Sequence, residues 1–420
     1  MAVTSGYRAR VVDEELTSRL AATGAVAIEG PKACGKTATA RQLAASEVLL
    51  DIDMNAREAA AVVPSVVLDG PMPRLIDEWQ LAPEIWNQVR RAVENRRTPG
   101  QFILTGSAVP PDDITRHSGA GRITRLQMRP MSLFELGVSN GNVSLAEILA
   151  GGSVSGADPG VPVERLSEEI AVGGWPGNLG LSRDRAQRAV RDYLGEIARV
   201  DIARVDGTRR DPVRVQRLLR SLARNVATYA AITTLAADTG GADGPLDRDT
   251  VSDYLSTLKR LMIVEGQPAW TPHLRSRYVL REAEKRHFVD PSLAVAAMRS
   301  SPERILRDLS LFGFLFESMV VRDLRVYAQA NDAAVFQYRD SSDLEIDAIV
   351  ETTDGRWAAF EIKLGGSPVD DGASSLQKFI KRIDTAKCGE PAALGVIVGT
   401  GFAYTRQDGI AVIPITTLRP

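Results

Sequence analysis

Metal-binding and disulfide-forming side chains are scarce in this sequence. Its 420 residues contain two cysteines, Cys34 and Cys388, and three histidines, His117, His273 and His287, scattered without ligand spacing. That argues against a zinc module or a disulfide-built scaffold and fits a reducing compartment. Strong net charge is also missing: the formal charge is -2 and the pI about 6.1, which excludes a uniformly basic nucleic-acid binder but leaves room for a local basic patch. No apolar run approaches the roughly 20 residues of a membrane span, and the opening MAVTSGYRAR has no apolar signal core. The sequence predicts a soluble, cytoplasmic protein with no membrane partner. It has no internal repeat and no low-complexity segment, and its length favours two or three domains.

What the chain does contain is an alternation of strand and helix patterns at both ends. Ala25–Ile28 reads as a strand, followed by a loop and a helix from Lys36 to about Ser46. Further strands are expected at Val48–Ile52, around Leu75–Ile76 and at Gln101–Leu104. Between the last two lies a helix near Glu84–Asn95, where Ile85, Val89 and Val93 recur at helical spacing. This alternation predicts an α/β layer with a mainly parallel sheet. A Gly-, Ser- and Pro-rich stretch from about 150 to 162 marks a boundary. The helical region beyond it carries 12 arginines, no lysine and 6 acids between Arg183 and Arg224. A helix over Asp249–Leu261 leads to a basic turn ending at Arg281. The last hundred residues return to α/β, with a helix over Leu311–Ala328 and strands over Ala334–Arg339, Leu344–Val350 and Trp357–Leu364. A helix over Ser374–Ile383 and a final strand over Leu394–Val398 complete the expected set.

After the first strand, Gly30-Pro31-Lys32-Ala33-Cys34-Gly35-Lys36-Thr37 fits G-x-x-x-x-G-K-[ST] in full, with Ala38 opening the helix. Glycines let the backbone wrap phosphate oxygens, so amides and the helix N-terminus face negative charge. Lys36 then bridges the β- and γ-phosphates of ATP, and the Thr37 hydroxyl ligates magnesium. Downstream, Asp77 closes an apolar strand and is expected to hold the magnesium, while Glu78 polarises the attacking water. Thr105 or Ser107, ending the strand at Phe102, would sit beside the γ-phosphate. Arg122 is either an ordinary surface arginine or one that reaches a nucleotide in its own or a neighbouring subunit.

A second constellation lies near the C-terminus. Strand alternation puts Glu361 and Lys363 on one face and gives Glu345 and Asp347 a shared face. Glu317 sits among apolar neighbours on the preceding helix, and Gln377 on the following helix could reach the same place. Asp347 and Glu361 could bind magnesium with Lys363 positioning a water, the chemistry of metal-assisted phosphodiester cleavage. The alternative is an amphipathic sheet with salt-bridged charges.

With both sets in place, the chain resembles a prokaryotic family that pairs an N-terminal AAA-type ATPase with a C-terminal domain of unknown function similar to restriction endonucleases. The residues that carry this are GPKACGKT at Gly30–Thr37, RLIDEWQ at Arg74–Gln80, ILTGSA at Ile103–Ala108 and GRITRLQMRPMSLFEL at Gly121–Leu136. Further on come GGWPG at Gly173–Gly177, YRDSSDLEIDAIV at Tyr338–Val350 and FEIK at Phe360–Lys363. Trp175 stands where such proteins often carry a tyrosine. The resemblance implies a P-loop ATPase domain over 1–150, a helical winged-helix domain over 151–300 and a restriction-endonuclease-like α/β domain over 301–420. It maps nuclease roles onto Glu317, Asp347, Glu361, Lys363 and Gln377. In the middle domain it makes Thr250–Leu261 a recognition helix, with the turn near His273–Arg281 as its wing; Thr250, Ser252, Lys259 and Arg260 are then candidates for phosphate or base contacts. Simple packing against the ATPase is the alternative. The implied activity is ATP hydrolysis coupled to action on DNA, with ATP and Mg2+ as cofactors and self-association expected. A second reading is a signalling or scaffolding ATPase that binds protein partners, its nuclease-like domain inert.

Overall fold

The computed structural model describes residues 6–107, 118–205, 208, 210–241, 244–272, 283–365 and 369–420. Five parallel strands form the N-terminal sheet: β1 (Ala25–Glu29), β2 (Ser46–Leu49), β3 (Arg74–Asp77), β4 (Phe102–Gly106) and β5 (Ile123–Gln127), in the order β2-β3-β4-β1-β5. Strand β1 lies inside the sheet, and alternation sends its side chains to two separate cores. Val26 and Ile28 pack with Leu16, Leu75 and Ile103. Ala25 and Ala27 face Ile76, Phe102, Leu104, Trp79 and Trp86. The helix after the phosphate-loop sequence is shorter than expected, Lys36–Arg41.

The middle unit stacks helices Val163–Val172, Arg183–Glu196, Pro212–Arg224, Ile232–Gly240 and Arg248–Arg260, followed by a hairpin of β7 (Val264–Gln267) and β8 (Lys285–Phe288). The expected basic turn from His273 to Arg281 lies outside the described residues. Chain leaving β7 runs along the edge of the C-terminal sheet, where the Trp270 amide donates to the Gln337 carbonyl at 2.6 Å and the Gln337 amide to Pro268 at 2.9 Å. That contact covers an otherwise open strand edge.

The C-terminal sheet is mixed, in the order β13-β14-β12-β11-β10-β9, and comprises β9 (Ala333–Arg339), β10 (Glu345–Thr352), β11 (Trp357–Lys363), β12 (Ala393–Val398), β13 (Tyr404–Thr405) and β14 (Ala411–Pro414). The set therefore does not close with β12, as the sequence suggested. A last strand, β15 (Leu418–Arg419), leaves the sheet and pairs in parallel with β6 (Val143–Ser144), so the chain's end docks on residues well before the middle unit. Helix Leu309–Gln329 covers one face of the sheet through Phe316, Val320 and Leu324, and its apolar cluster runs without a break into the middle unit's Leu218, Leu255 and Phe288.

A buried ionic knot ties these units. Arg322 donates to Asp290 and to Asp323, each at 2.8 Å, and all three are nearly inaccessible to water. Asp290 also accepts the Gly174 amide at 3.0 Å, and Asp323 the Leu133 amide at 2.9 Å. This explains the first two glycines of GGWPG: a Cβ on Gly174 would overlap the Met131 carbonyl, and one on Gly173 would collide with Ser292 and Asp290. Trp175 fills the adjoining space, donating from its indole to Ser292 at 2.9 Å and lying against Tyr193.

Candidate functional site

Parallel register brings the nucleotide residues to one end of the sheet. Ile28 pairs with Thr105 and Glu29 with Gly106, so the loop that follows β1 opens beside the end of β4; Ile76 pairs with Leu104, which sets Asp77 next to Thr105. The Thr37 hydroxyl donates to Asp77 Oδ1 at 2.8 Å, and Thr105 donates to the same oxygen. Glu78 takes a left-handed backbone (φ 54°) straight after the strand, where the chain turns into Trp79–Leu81. Its carboxylate accepts from Ser107 at 3.1 Å and from Gln80. Gln80 closes the RLIDEWQ stretch, two positions after the second acid of the pair.

The loop is held from outside and from within. Gly35 has φ 105°, where only glycine is comfortable, and Lys36 Nζ donates to the carbonyls of Gly30 and Pro31, both at 2.9 Å. Arg10, buried, donates to the Cys34 carbonyl at 2.8 Å and to Glu135 at 2.9 Å. A cleft of about 660 Å³ opens here, lined by Lys32, Ala33, Gly35–Ala38, Glu78 and Ser107, and closed on its far wall by Asp201, Val205 and Leu261 of the middle unit. Its size suits a nucleotide-scale ligand. Lys32 Nζ lies 2.5 Å from Asp201 Oδ1, an ion pair across that wall. Nothing in the sequence announced these middle-unit residues. Magnesium at such a site is bound through one or two carboxylates together with substrate phosphates, and the Thr37–Asp77 oxygens fit that requirement.

Arg122 lies at the wrong end for its own subunit's nucleotide. Ile123 pairs with Ala25 at the start of β1, so Arg122 is one strand length, roughly 16 Å at 3.3 Å per residue, from the loop that follows β1. It pairs instead with Glu94 at 3.3 Å.

The C-terminal set converges, but with a member that sequence reading missed. The β10–β11 ladder ends at Ala348–Phe360, and the register of β10 against β9 shifts between Ile346 and Ile349. Asp347 falls within this irregularity, and its Oδ2 accepts the Ile362 amide at 2.9 Å in place of a ladder bond. Lys363 Nζ is 2.5 Å from Glu361 Oε2 and 3.5 Å from Asp347 Oδ2. Lys285, from β8, reaches in to lie 2.9 Å from Glu317 Oε1 and 3.3 Å from Asp347 Oδ1. Gln377 does not join: it is exposed and donates to Asp408 at 3.2 Å, because its helix buries Leu376 and Phe379 instead.

Burial sets the protonation of this set. It pushes the Glu317 carboxyl up to about 7, with Lys285 opposing and Asp347 adding to the rise. Burial and then Asp347 push Glu361 up to about 8. Burial works on Asp347 in the same direction, but Lys285, Lys363 and the Ile362 amide outweigh it and hold that carboxyl below its usual value. Three acids thus meet two ammonium groups, and the raised Glu317 and Glu361 carboxyls favour a proton held within the set, which brings it toward neutrality without a metal. Magnesium does not fit this arrangement, because Lys285 and Lys363 already occupy both Asp347 oxygens. Among the described residues, no group of three or more His, Cys, Asp or Glu side chains could hold a metal ion.

In the expected recognition helix, Thr250–Leu261, both cations have partners within the chain. Lys259 is paired with Glu284 at 2.6 Å, Arg260 donates to the Val205 carbonyl at 3.1 Å, and the exposed face carries Asp249 and Asp253. Its cations are spent on internal partners. By contrast, Arg185, Arg188 and Arg191 are exposed along helix Arg183–Glu196 and make no ion pair among the described residues. No described helix is long and apolar enough to cross a membrane.

Comparison with known proteins assigns the first unit. Residues 22–137 match the family model of an AAA domain, which supports the P-loop ATPase reading of this part of the chain. Residues 163–304 and 312–418 match two domains of unknown function, DUF8612 and DUF4143. The uncharacterized proteins Rv2008c of Mycobacterium tuberculosis and Mb2031c of Mycobacterium bovis are each 23% identical over 348 residues, 82% of this chain and 71% of theirs. Among solved structures, the chain is similar to the Walker-type ATPase paby2304 of Pyrococcus abyssi, with 13% identity and a TM-score of 0.42 over 68% of this chain and 94% of that one. It is also similar to PH0952 of Pyrococcus horikoshii, a signal transduction ATPase with a tetratricopeptide repeat sensor. That likeness has 12% identity and a TM-score of 0.21 over 77% of this chain and 49% of that one.

Proposed function

We propose that this chain is an ATP-hydrolysing switch that acts on nucleic acid. The observation that carries the hydrolysis is the pair of acids at the end of β3. Asp77 takes hydroxyl hydrogen bonds from Thr37 and Thr105, while Glu78 is oriented by Ser107 and Gln80. Thr37 and Asp77 would hold magnesium, which neutralises phosphate charge when bound. Lys36 would exchange its loop carbonyls for phosphate oxygens, and Glu78 would accept the proton of an attacking water. Because Asp201, Val205 and Leu261 form the far wall of the cleft, nucleotide would touch two units at once and bias their arrangement.

Nucleic acid would lie on the arginines of helix Arg183–Glu196, whose phosphate contacts would be strongly salt-dependent. The second reading, an ATPase that binds protein partners with an inert nuclease-like unit, draws its support from the Lys285 ammonium between Glu317 and Asp347. The deciding experiment measures ATP turnover in the wild type, Lys36→Ala and Glu78→Gln, and DNA binding at low and high salt with Arg185, Arg188 and Arg191 changed to Glu. Turnover lost in both single variants supports hydrolysis at this site, with a fall of about 10²–10⁴ expected for the general base. Turnover unchanged in Glu78→Gln refutes its role. Binding that is flat with salt, or indifferent to the arginines, sinks the nucleic-acid reading in favour of the second one.

A further inference from the structure

The cation seated among the C-terminal carboxylates belongs to the chain itself. Lys285 opens β8 opposite Gln267 in β7, and its side chain is 4% exposed. Its ammonium bridges Glu317 and Asp347 at 2.9 and 3.3 Å, residues on a different unit, 32 and 62 positions further along. The Tyr229 ring lies over it, with its centroid 5.6 Å away. The hairpin that delivers the ammonium is itself fixed: Gln267 donates to the Phe336 and Asp347 carbonyls at 3.0 and 2.8 Å, and Tyr229 donates to Gln337 at 2.7 Å. With Lys285 in place the three acids face two ammonium groups. With it withdrawn they would face one, leaving the set one positive charge short, a deficit that a divalent cation could fill. A hard divalent ion needs the same carboxylate oxygens at about 2.0–2.6 Å, which an ammonium 3 Å away denies it. A cleft of about 560 Å³, lined by Tyr229, Phe314, Glu317, Asp347 and Lys363, gives a small ion access to the set.

We propose that Lys285 is the resident cation of this carboxylate set, and that it excludes divalent metal as long as the β7–β8 hairpin is docked. The cation held by the C-terminal carboxylates is therefore supplied by the middle unit. This concerns what fills the set and does not rest on the nucleic-acid reading above.

The test titrates the full chain, without nucleotide, with Mn2+ alone, following bound Mn2+ by electron paramagnetic resonance. The variants are Lys285→Gln, Lys285→Met, Asp347→Asn, and Lys285→Gln with Asp347→Asn. Lys285→Met keeps the apolar length of the side chain without its charge and covers the case in which Lys285→Gln fails to fold. The inference expects no Mn2+ in the wild type that Asp347→Asn removes. It expects one Mn2+ per chain, held at least tenfold more tightly than any in the wild type, in Lys285→Gln or in Lys285→Met. That gain should disappear with Asp347→Asn, and Mn2+ should raise the melting temperature of the gaining variant only. A wild type that already binds Mn2+ through Asp347 overturns the inference, as does a folded variant of either design that gains none. DNA cleavage is a separate readout: a variant that gains Mn2+ and cuts nothing still upholds the inference.

Discussion

Removing the Arg322 guanidinium should destabilise the chain more than any single change at its surface. In Arg322→Leu, Asp290 and Asp323 are left side by side, both fully buried, with only amide and hydroxyl donors for company. Burial already raises the Asp323 carboxyl, and Arg322 is its chief opposing influence. Breaking a buried pair by removing one partner costs about 3–5 kcal/mol, a large share of a typical stability of about 5–15 kcal/mol. At a urea slope of about 2–3 kcal/mol/M the midpoint should fall by about 1–2.5 M. Because Leu133 and Gly174 donate into the same knot, limited proteolysis should reveal earlier cleavage around both segments. The combined variant Asp290→Asn, Arg322→Leu, Asp323→Asn removes the charges together and should recover most of the loss. A single-variant cost below about 1 kcal/mol, or a triple variant as unstable as the single, would falsify the claim that charge burial holds this junction.

Two further outcomes follow from other buried contacts. His287 is fully enclosed between Ser318 and Gln267, at 3.2 and 3.0 Å, and burial, Arg325 and Lys285 hold its pKa well below the ordinary value. The unfolded chain therefore takes up a proton below about pH 6.5 that the folded chain refuses. Relative to His287→Gln, the wild type should lose about 1.4 kcal/mol per pH unit as pH falls below that point, and a stability difference between the two that is the same in urea titrations at pH 5 and 7 would contradict it. Gly174→Ala should cost about 1–3 kcal/mol through overlap with the Met131 carbonyl; a thermal melt unchanged from the wild type would mean that the backbone there can shift freely.

The degree to which this molecule could be read in advance follows the range of the interactions. The β1 strand, the phosphate loop and the strand-end acids Asp77 and Glu78 are each set by contiguous residues. Glycine backbone freedom, apolar alternation and one hydroxyl at a helix start can be seen in a window of eight. Strands β9 to β12 were equally visible, because their apolar runs are bounded by turns. The place of Arg122 was not legible, because a strand's sequence does not say which end of a parallel sheet its flanking residue occupies, and pairing with Ala25 decides that. Gln377 was misjudged because the helix orients by its buried face, Leu376 and Phe379, not by its polar groups.

The sequence by itself determined that a phosphate loop, an acid pair and a set of C-terminal carboxylates exist, since each is written in neighbouring residues. Only the tertiary structure decided what faces them. Asp201 and Leu261 wall the nucleotide cleft, and Lys285 enters the carboxylates from a hairpin 62 positions before Asp347. The physical reason is that an ion pair needs only proximity, and proximity here is created by the hairpin pairing with the β9 edge and by a continuous apolar core beneath it. No spacing rule in the chain encodes either.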